Sequence, residues 1–176
     1  ATNPASSVGG GAINSKLNNC VLTRNWAAYQ GGGAFNGTLN NCTLVTNSAV
    51  YGGGVYGTTI SNSIVYYNSA TIGSNYFPNA TFNYACTLPK PNSGVGNITN
   101  TPSFIDQVDG DLRLQSNSPC INAGNNAYAP AGPDLDGNPR IVGGTVDMGA
   151  YECQTPALLD YYTWLHGFGL PTSAAT

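Results

Sequence analysis

Between Gly9 and Asn75 the apolar and polar positions of the chain repeat as a block. Gly9-Gly10-Gly11-Ala12-Ile13 returns as Gly31-Gly32-Gly33-Ala34-Phe35 and as Gly52-Gly53-Gly54-Val55-Tyr56, at intervals of 22 and 21 residues. The same columns follow each triplet: Leu17, Leu39 and Ile60; Cys20, Cys42 and Ser63; Leu22, Leu44 and Val65; Asn25, Asn47 and Asn68. Within a block Cys20 and Leu22 alternate with Asn19, Val21 and Thr23, and Val, Thr, Tyr and Ile are frequent. That period of two predicts strands rather than helix. A fixed period near 21 residues predicts a β-solenoid, in which no coil buries its apolar face alone. The glycines then mark a corner or a close approach of two coils. Coils stacked about 4.8 Å apart place like residue over like. The Asn25, Asn47 and Asn68 column is thus expected to form a ladder of side-chain amides that also satisfies backbone groups at a turn.

Beyond the third block the period persists once at Ile72-Gly73, then loosens. Strands are expected within Thr81 to Thr87, at Asn97-Ile98-Thr99, at Leu112-Arg113-Leu114, and within Ile141–Gly144 and Val146–Glu152, with turns at Pro102 and Asp109-Gly110-Asp111. Ser118 to Pro133 reads as an irregular cap or wrap, and Ala157 to Leu170 as a short helix before a linker-like tail. The expected organisation is coils over residues 1–105, an irregular C-terminal part of the same domain over 106–153, and helix plus linker over 154–176. The upper end has no obvious cap, so flanking coils or another copy of the molecule are expected to cover its strand edges.

Composition narrows the function classes. Charged residues are 7% of the 176, and the net charge is -3. Only five residues are basic, so there is no electrostatic footprint for nucleic acid or an anionic membrane. No apolar run of about 18 residues is present, which excludes membrane insertion by a helix. Hydroxyls and amides that solvate strands without charge suit an exported, extracellular β protein. The cysteines number five. Cys20 and Cys42 share a column and read as buried thiols, and Cys86 is a candidate to continue that column past Ser63. In an exported protein Cys86 and Cys120 are the expected disulfide, leaving Cys153 over.

The repeated Gly-Gly-Ala-Ile motifs, paired with Leu22 to Asn25 and Leu44 to Asn47, resemble the right-handed parallel β-helix repeats of secreted bacterial proteins, among them the polymorphic outer-membrane proteins. Ser118-Pro119-Cys120-Ile121-Asn122-Ala123-Gly124, Asp134 to Arg140 and Val146 to Glu152 resemble the choice-of-anchor Q domain, which tends to end large surface proteins. The resemblance implies an all-β, right-handed single-stranded parallel β-helix with an irregular C-terminal β cap, located extracellularly or at the cell surface. It also implies that this chain is a fragment or a processed form.

Parallel β-helices host lyase and glycoside hydrolase activities, so polysaccharide cleavage is one alternative. The acids argue against it. All eight carboxylates (Asp106, Asp109, Asp111, Asp134, Asp136, Asp147, Glu152 and Asp160) follow residue 105, and the repeats carry none. Paired carboxylates for hydrolysis, or a carboxylate cluster for calcium-assisted elimination, therefore cannot be assembled there. Asp134, Asp136 and Asn138 are the candidate calcium ligands, though their spacing departs from an EF-hand and a local Asx turn explains the same residues. Arg140 with Asp134, Asp147 or Glu152 reads as a structural ion pair. Asn36, Asn41, Asn79 and Asn97 head N-x-Ser/Thr sequons, a minor reading in a bacterial protein. Trp26, Tyr66, Tyr67 and Tyr76 are the candidate sugar-contacting aromatics, whereas Phe35 and Tyr56, in the Ile13 column, are expected to point inward. The reading favoured by these residues is a non-catalytic structural or adhesive module. Its alternative at the same location is a filament subunit stacking end to end.

Overall fold

A computed structural model describes residues 7–154. Its strands are β1 (Ala12–Asn18), β2 (Val21–Thr23), β3 (Ala34–Asn40), β4 (Thr43–Val45), β5 (Ser48–Tyr51), β6 (Val55–Tyr56), β7 (Thr59–Ser61), β8 (Ile64–Tyr66), β9 (Ser69–Ile72), β10 (Thr81–Asn83), β11 (Cys86–Thr87), β12 (Phe104–Asp106) and β13 (Asp111–Leu114). Three parallel sheets run up the stack, β1-β3-β7-β10 with β6 beside β3, β11-β8-β4-β2, and β5-β9. Together they make a β-solenoid of about three turns. Its register is the interval of the sequence: Ala12 pairs Ala34, Leu17 pairs Leu39, Leu39 pairs Ile60, and Leu22 pairs Leu44.

The coil bends where residues adopt left-handed backbone. One corner is Asn19, Asn41 and Asn62 (φ 50°, 47° and 46°), and another is Arg24, Thr46 and Tyr67 (φ 56° each). Asparagine suits such corners because its short amide tolerates this region and bonds locally. Each glycine triplet answers two demands. Gly9, Gly31 and Gly52 take φ of 63°, 65° and 63°, whereas a Cβ on Gly32 would lie 2.3 Å from Ser48 O and 2.4 Å from Gly53 O of the next coil. Corner geometry requires the first glycine, and coil-to-coil contact the second.

Inside the coils Leu22, Ala34, Leu39, Cys42, Leu44, Val55, Ile60, Val65, Phe82 and Ala85 form one buried cluster. Each large apolar side chain withdrawn from water contributes about 1.5–3 kcal/mol. A second cluster lies outside the sheet β11-β8-β4-β2, where Val45, Ile64, Tyr66 and Cys86 meet Phe104, Leu112, Leu114, Cys120 and Met148. That sheet is buried on both faces, so β4 and β8 are buried at every position.

The C-terminal segment runs along the side of the stack, docking on the asparagine corner. Asn62 exchanges hydrogen bonds with the Asn125 backbone (2.8 and 2.9 Å), Asn41 Nδ2 donates to Asp147 O (2.9 Å), and Asn19 Nδ2 donates to Pro133 O (2.8 Å). Residues 93–98 close the far end instead. Tyr84 N donates to Val95 O (2.7 Å), Ile98 N to Ala85 O (2.9 Å), and Ala85 N to Asn97 Oδ1 (3.0 Å).

Local expectations differ from the structure at four places. Cys86 pairs Ile64, so Ala85 stands beneath Ser63 and Cys86 faces out of the coil into the second cluster. Ile141–Gly144 and Val146–Glu152 are not strands, because their backbone groups bond side chains and turns in place of a sheet partner. Asn97-Ile98-Thr99 contributes a single bridge, Ile98 to Cys86. The Phe35 and Tyr56 column faces outward, with Ile13 at its top 41% exposed. The expected helix at Ala157 to Leu170 lies outside the described residues.

Candidate functional site

The asparagine column forms a continuous ladder. Asn25 donates through N (3.0 Å) and Nδ2 (2.9 Å) to Asn47 Oδ1, and Asn47 donates through N and Nδ2 (2.9 Å each) to Asn68 Oδ1. Asn68 makes the same fork to Asn75 Oδ1 (3.0 and 3.2 Å). A further Nδ2 bond reaches the coil before, from Asn47 to Leu22 O and from Asn68 to Leu44 O (2.9 Å each). Asn75 escapes a reading by period, since it follows Asn68 by seven residues. It sits under Gly54 in the following incomplete coil, where Val55 N donates to Asn75 O (3.1 Å).

The acidic residues of the C-terminal segment are committed to its own backbone. Asp134 Oδ1 accepts from Asp136 N (3.0 Å) and Asn138 N (2.8 Å), and its Oδ2 accepts from Glu152 N (2.9 Å). Asp136 instead binds Arg113 (2.6 Å), which also reaches Asp111 (3.2 Å) and lies 5.5 Å over the Tyr151 ring. Asp136 beside it raises the Arg113 pKa above its ordinary value. The Asp134 carboxylate is thus taken up by backbone N–H groups and that of Asp136 by Arg113. Among the described residues no three side chains of the His, Cys, Asp or Glu type gather as a metal site.

Arg140 and Glu152 form a buried ion pair at 3.0 Å. Arg140 also donates to Ala150 O (2.9 Å) and Tyr151 O (3.0 Å), and Glu152 accepts from Val142 N and Asp147 N (2.8 and 2.9 Å). Asp147 accepts from Asn122 N and Cys153 N, both at 2.7 Å. Burial pushes the Asp147 carboxyl up to about 7 and raises that of Glu152. The network cross-links residues 120–153, its buried charge balanced by paired groups and main-chain N–H donors.

The thiols occupy two places. Cys20 and Cys42 are neighbouring rungs, Cys20 half-buried and Cys42 buried. Its neighbour Cys20 and burial raise the Cys42 pKa, which leaves Cys20 the more acidic of the two. Cys86 and Cys120 face one another across the second cluster, and the structure holds both as buried thiols. The Cys120 side chain and burial raise the pKa of Cys86.

The expected sugar-contacting aromatics are dispersed. Trp26 (49%) and Tyr67 (40%) are exposed, whereas Tyr66 (7%) is buried in the second cluster and Tyr76 packs against Phe82 in the first. A different set forms a surface column. Phe35 and Tyr56 stack at 5.5 Å with planes 14° apart, Tyr56 and Phe77 at 4.8 Å and 23°, and Tyr51 meets Phe77 and Tyr29 edge-on. Beside it on the sheet run Lys16, Thr38, Thr59 and Thr81, then Asn18, Asn40, Ser61 and Asn83. Hydrogen bonds tie neighbouring rungs, from Thr81 to Thr59 (3.2 Å) and from Asn40 to Asn18 (3.2 Å). Lys16 is the one charged residue of these strands. The column was readable as the interval from Phe35 to Tyr56 to Phe77; the sidedness that exposes it was not.

The chain has no match among protein-family models, curated proteins or solved structures.

Proposed function

We propose that the chain is a non-catalytic structural and adhesive module of an exported bacterial surface protein, and that the sheet β1-β3-β7-β10 is its contact face toward uncharged polysaccharide. One observation carries the reading: this exposed sheet sets an aromatic column beside columns of hydroxyls and amides with a single charge, Lys16. Such a surface suits sugar rings, which offer apolar patches and hydroxyls together. Its rings stack on one another, so their edges rather than their faces meet solvent. Adhesion is then weak per site and extended along the stack, unlike binding in a closed pocket.

The exported location and the likeness to outer-membrane-protein repeats and to a choice-of-anchor segment belong to the same proposal, as does the absence of catalysis. Supporting the last, the carboxylates of Asp134, Asp136, Asp147 and Glu152 are occupied by backbone N–H groups and arginines. The filament alternative needs two open ends, and residues 93–98 close one. The test is retention of purified protein on insoluble neutral polysaccharides, with Tyr56→Ala and Phe35→Ala as controls, alongside assays for newly released reducing or unsaturated sugar. Retention lost in both variants supports the contact face. No retention on any neutral polymer overturns adhesion, and released sugar overturns the non-catalytic reading.

A further inference from the structure

Two cysteines stand in one inward column on successive coils. Val21 pairs Thr43 in the parallel sheet, and Thr43 N donates to Cys20 O (2.9 Å), so Cys20 and Cys42 are stacked rung on rung. Both sulfurs hold the same pose. Cys20 Sγ donates to Asn18 O (3.0 Å) and Cys42 Sγ to Asn40 O (3.3 Å), in each case the carbonyl two residues earlier in the same coil. Cys42 Sγ also lies 3.6 Å from Leu17 O, in the coil of Cys20, and so leans toward its neighbour. The two thiols are hydrogen-bonding neighbours.

A pose repeated by translation sets the sulfurs apart by roughly the spacing of the coils, about 4.8 Å. An S–S bond is about 2.05 Å, so a disulfide requires both side chains to leave this pose. Two thiolate bonds to a d10 cation, taken at the ~2.3 Å of zinc, span about 4.6 Å end to end. The column therefore holds its sulfurs at the separation that a linear sulfur–cation–sulfur unit requires. Thiolates select soft cations such as copper(I). Zinc asks for four ligands, and among the described residues no group of three His, Cys, Asp or Glu side chains forms.

The surroundings fit such a cation as well. Leu22, Leu39 and Leu44 share a buried cluster with Cys42, and Leu17 and Cys20 pack against it, so hydrocarbon encloses the pair. The Cys20 N–H is directed at Cys42 Sγ, as the Cys42 N–H is at Ser63 Oγ one coil on (3.0 Å), and it offsets charge on that sulfur. Cys20 is half-buried and borders a recess with Gly10, Ile13 and Leu22, which gives a small cation its approach.

We propose that Cys20 and Cys42 form a two-coordinate site for a soft monovalent d10 cation, copper(I) or silver(I), held in line between two coils. Both thiols release their protons to water as the two sulfur–cation bonds form, no electron is transferred, and the bound unit carries one negative charge. The inference is independent of what the exposed sheet binds.

The test is anaerobic titration of the reduced full chain with copper(I) against a chromogenic chelator, and with silver(I) by native mass spectrometry. Cys20→Ser, Cys42→Ser and a triple variant, Cys86→Ser with Cys120→Ser and Cys153→Ser, are compared, each checked by a circular dichroism melt. Serine suits this column, where Ser63 already makes the same bond to Ser61 O (2.7 Å). The triple variant should bind one cation per chain, with X-ray absorption showing two sulfur neighbours. Either single variant should bind at least ~100-fold more weakly, beyond the loss that removing an outer-shell partner causes. Alkylation of the wild-type chain with and without one equivalent of silver(I), read by peptide mapping, needs no substitution: Cys20 should be shielded. Affinity unchanged in Cys20→Ser or Cys42→Ser, a folded triple variant that binds nothing, three or four neighbours in the absorption spectrum, or shielding of Cys153 in place of Cys20 overturns the proposal.

Discussion

Replacing Asn47 by alanine tests the physical core of the fold. Asn47 is completely buried, and its side chain receives two hydrogen bonds from Asn25 and gives one each to Leu22 O and Asn68 Oδ1. Alanine leaves Asn25 N without its acceptor, removes the side-chain donor that Leu22 O has beside its sheet partner, and removes one of two donors from Asn68 Oδ1. Four hydrogen bonds of the Asn47 side chain are lost, at about 0.5–1.5 kcal/mol each and more for the Asn25 N–H left without an acceptor, so the loss is about 3–5 kcal/mol. For a chain of this size that lowers Tm by about 10 °C. Asn25→Ala is the comparison. It removes only one Nδ2 donor from Asn47 Oδ1, which keeps the Asn25 N–H, and should cost about 0.5–1.5 kcal/mol. Asn47→Asp supplies a third arm: it retains acceptors for Asn25 but points an oxygen at Leu22 O and Asn68 Oδ1, so it should destabilise at least as much as alanine at neutral pH. Urea unfolding with a shared m value gives the three numbers. Equal losses for Asn47→Ala and Asn25→Ala, within about 0.5 kcal/mol, would refute the reasoning that burial of the ladder stabilises the stack.

Three further outcomes are expected. Gly32→Ala should abolish or severely weaken folding, because its Cβ would sit 2.3 Å from Ser48 O; an unchanged circular dichroism melt would contradict the close approach of the coils. In a thiol–disulfide buffer Cys86 and Cys120 should link, tying the C-terminal segment to β11, as read by non-reducing peptide mapping and a stability gain of about 3–4 kcal/mol. Recovery of both as thiols after full oxidation would show that the pair cannot close. Asp147 keeps its proton to about pH 7 when folded but ionises near pH 4 when unfolded, so the folded state binds the extra proton between those values. Its contribution to stability is present at about pH 4 and lost as pH rises through about 7, with Glu152 acting in the same direction. Asp147→Asn should therefore flatten the fall in urea midpoint from pH 4.5 to 8, and an unaltered slope would assign the pH dependence to other groups.

Much of the solenoid was legible because a coil of fixed length is a local property repeated by translation. Once Gly9, Gly31 and Gly52 recur at 22 and 21 residues, stacking at one strand spacing dictates that Leu17 meets Leu39 and Asn25 meets Asn47. No long-range information is needed. The sidedness of the sheets was not legible in the same way. Thr43-Leu44-Val45 and Ile64-Val65-Tyr66 are apolar enough to be buried on both faces, and only the arrival of Phe104, Leu112 and Met148 decided that they are. That contact buries Tyr66 and leaves the Phe35, Tyr56 and Phe77 column outside.

The sequence by itself thus determined the coil, its register and the identity of the stacked columns, since these follow from period and backbone spacing. Tertiary structure alone decided where residues 120–153 lie, because their partners, Asn19, Asn41 and Asn62, stand 63 to 121 residues away and are met through irregular backbone groups. It also decided what Asp134, Asp147 and Glu152 do. A carboxylate next to glycine and asparagine reads as a ligand or a turn with equal ease, and only the fold shows which N–H groups reach it first.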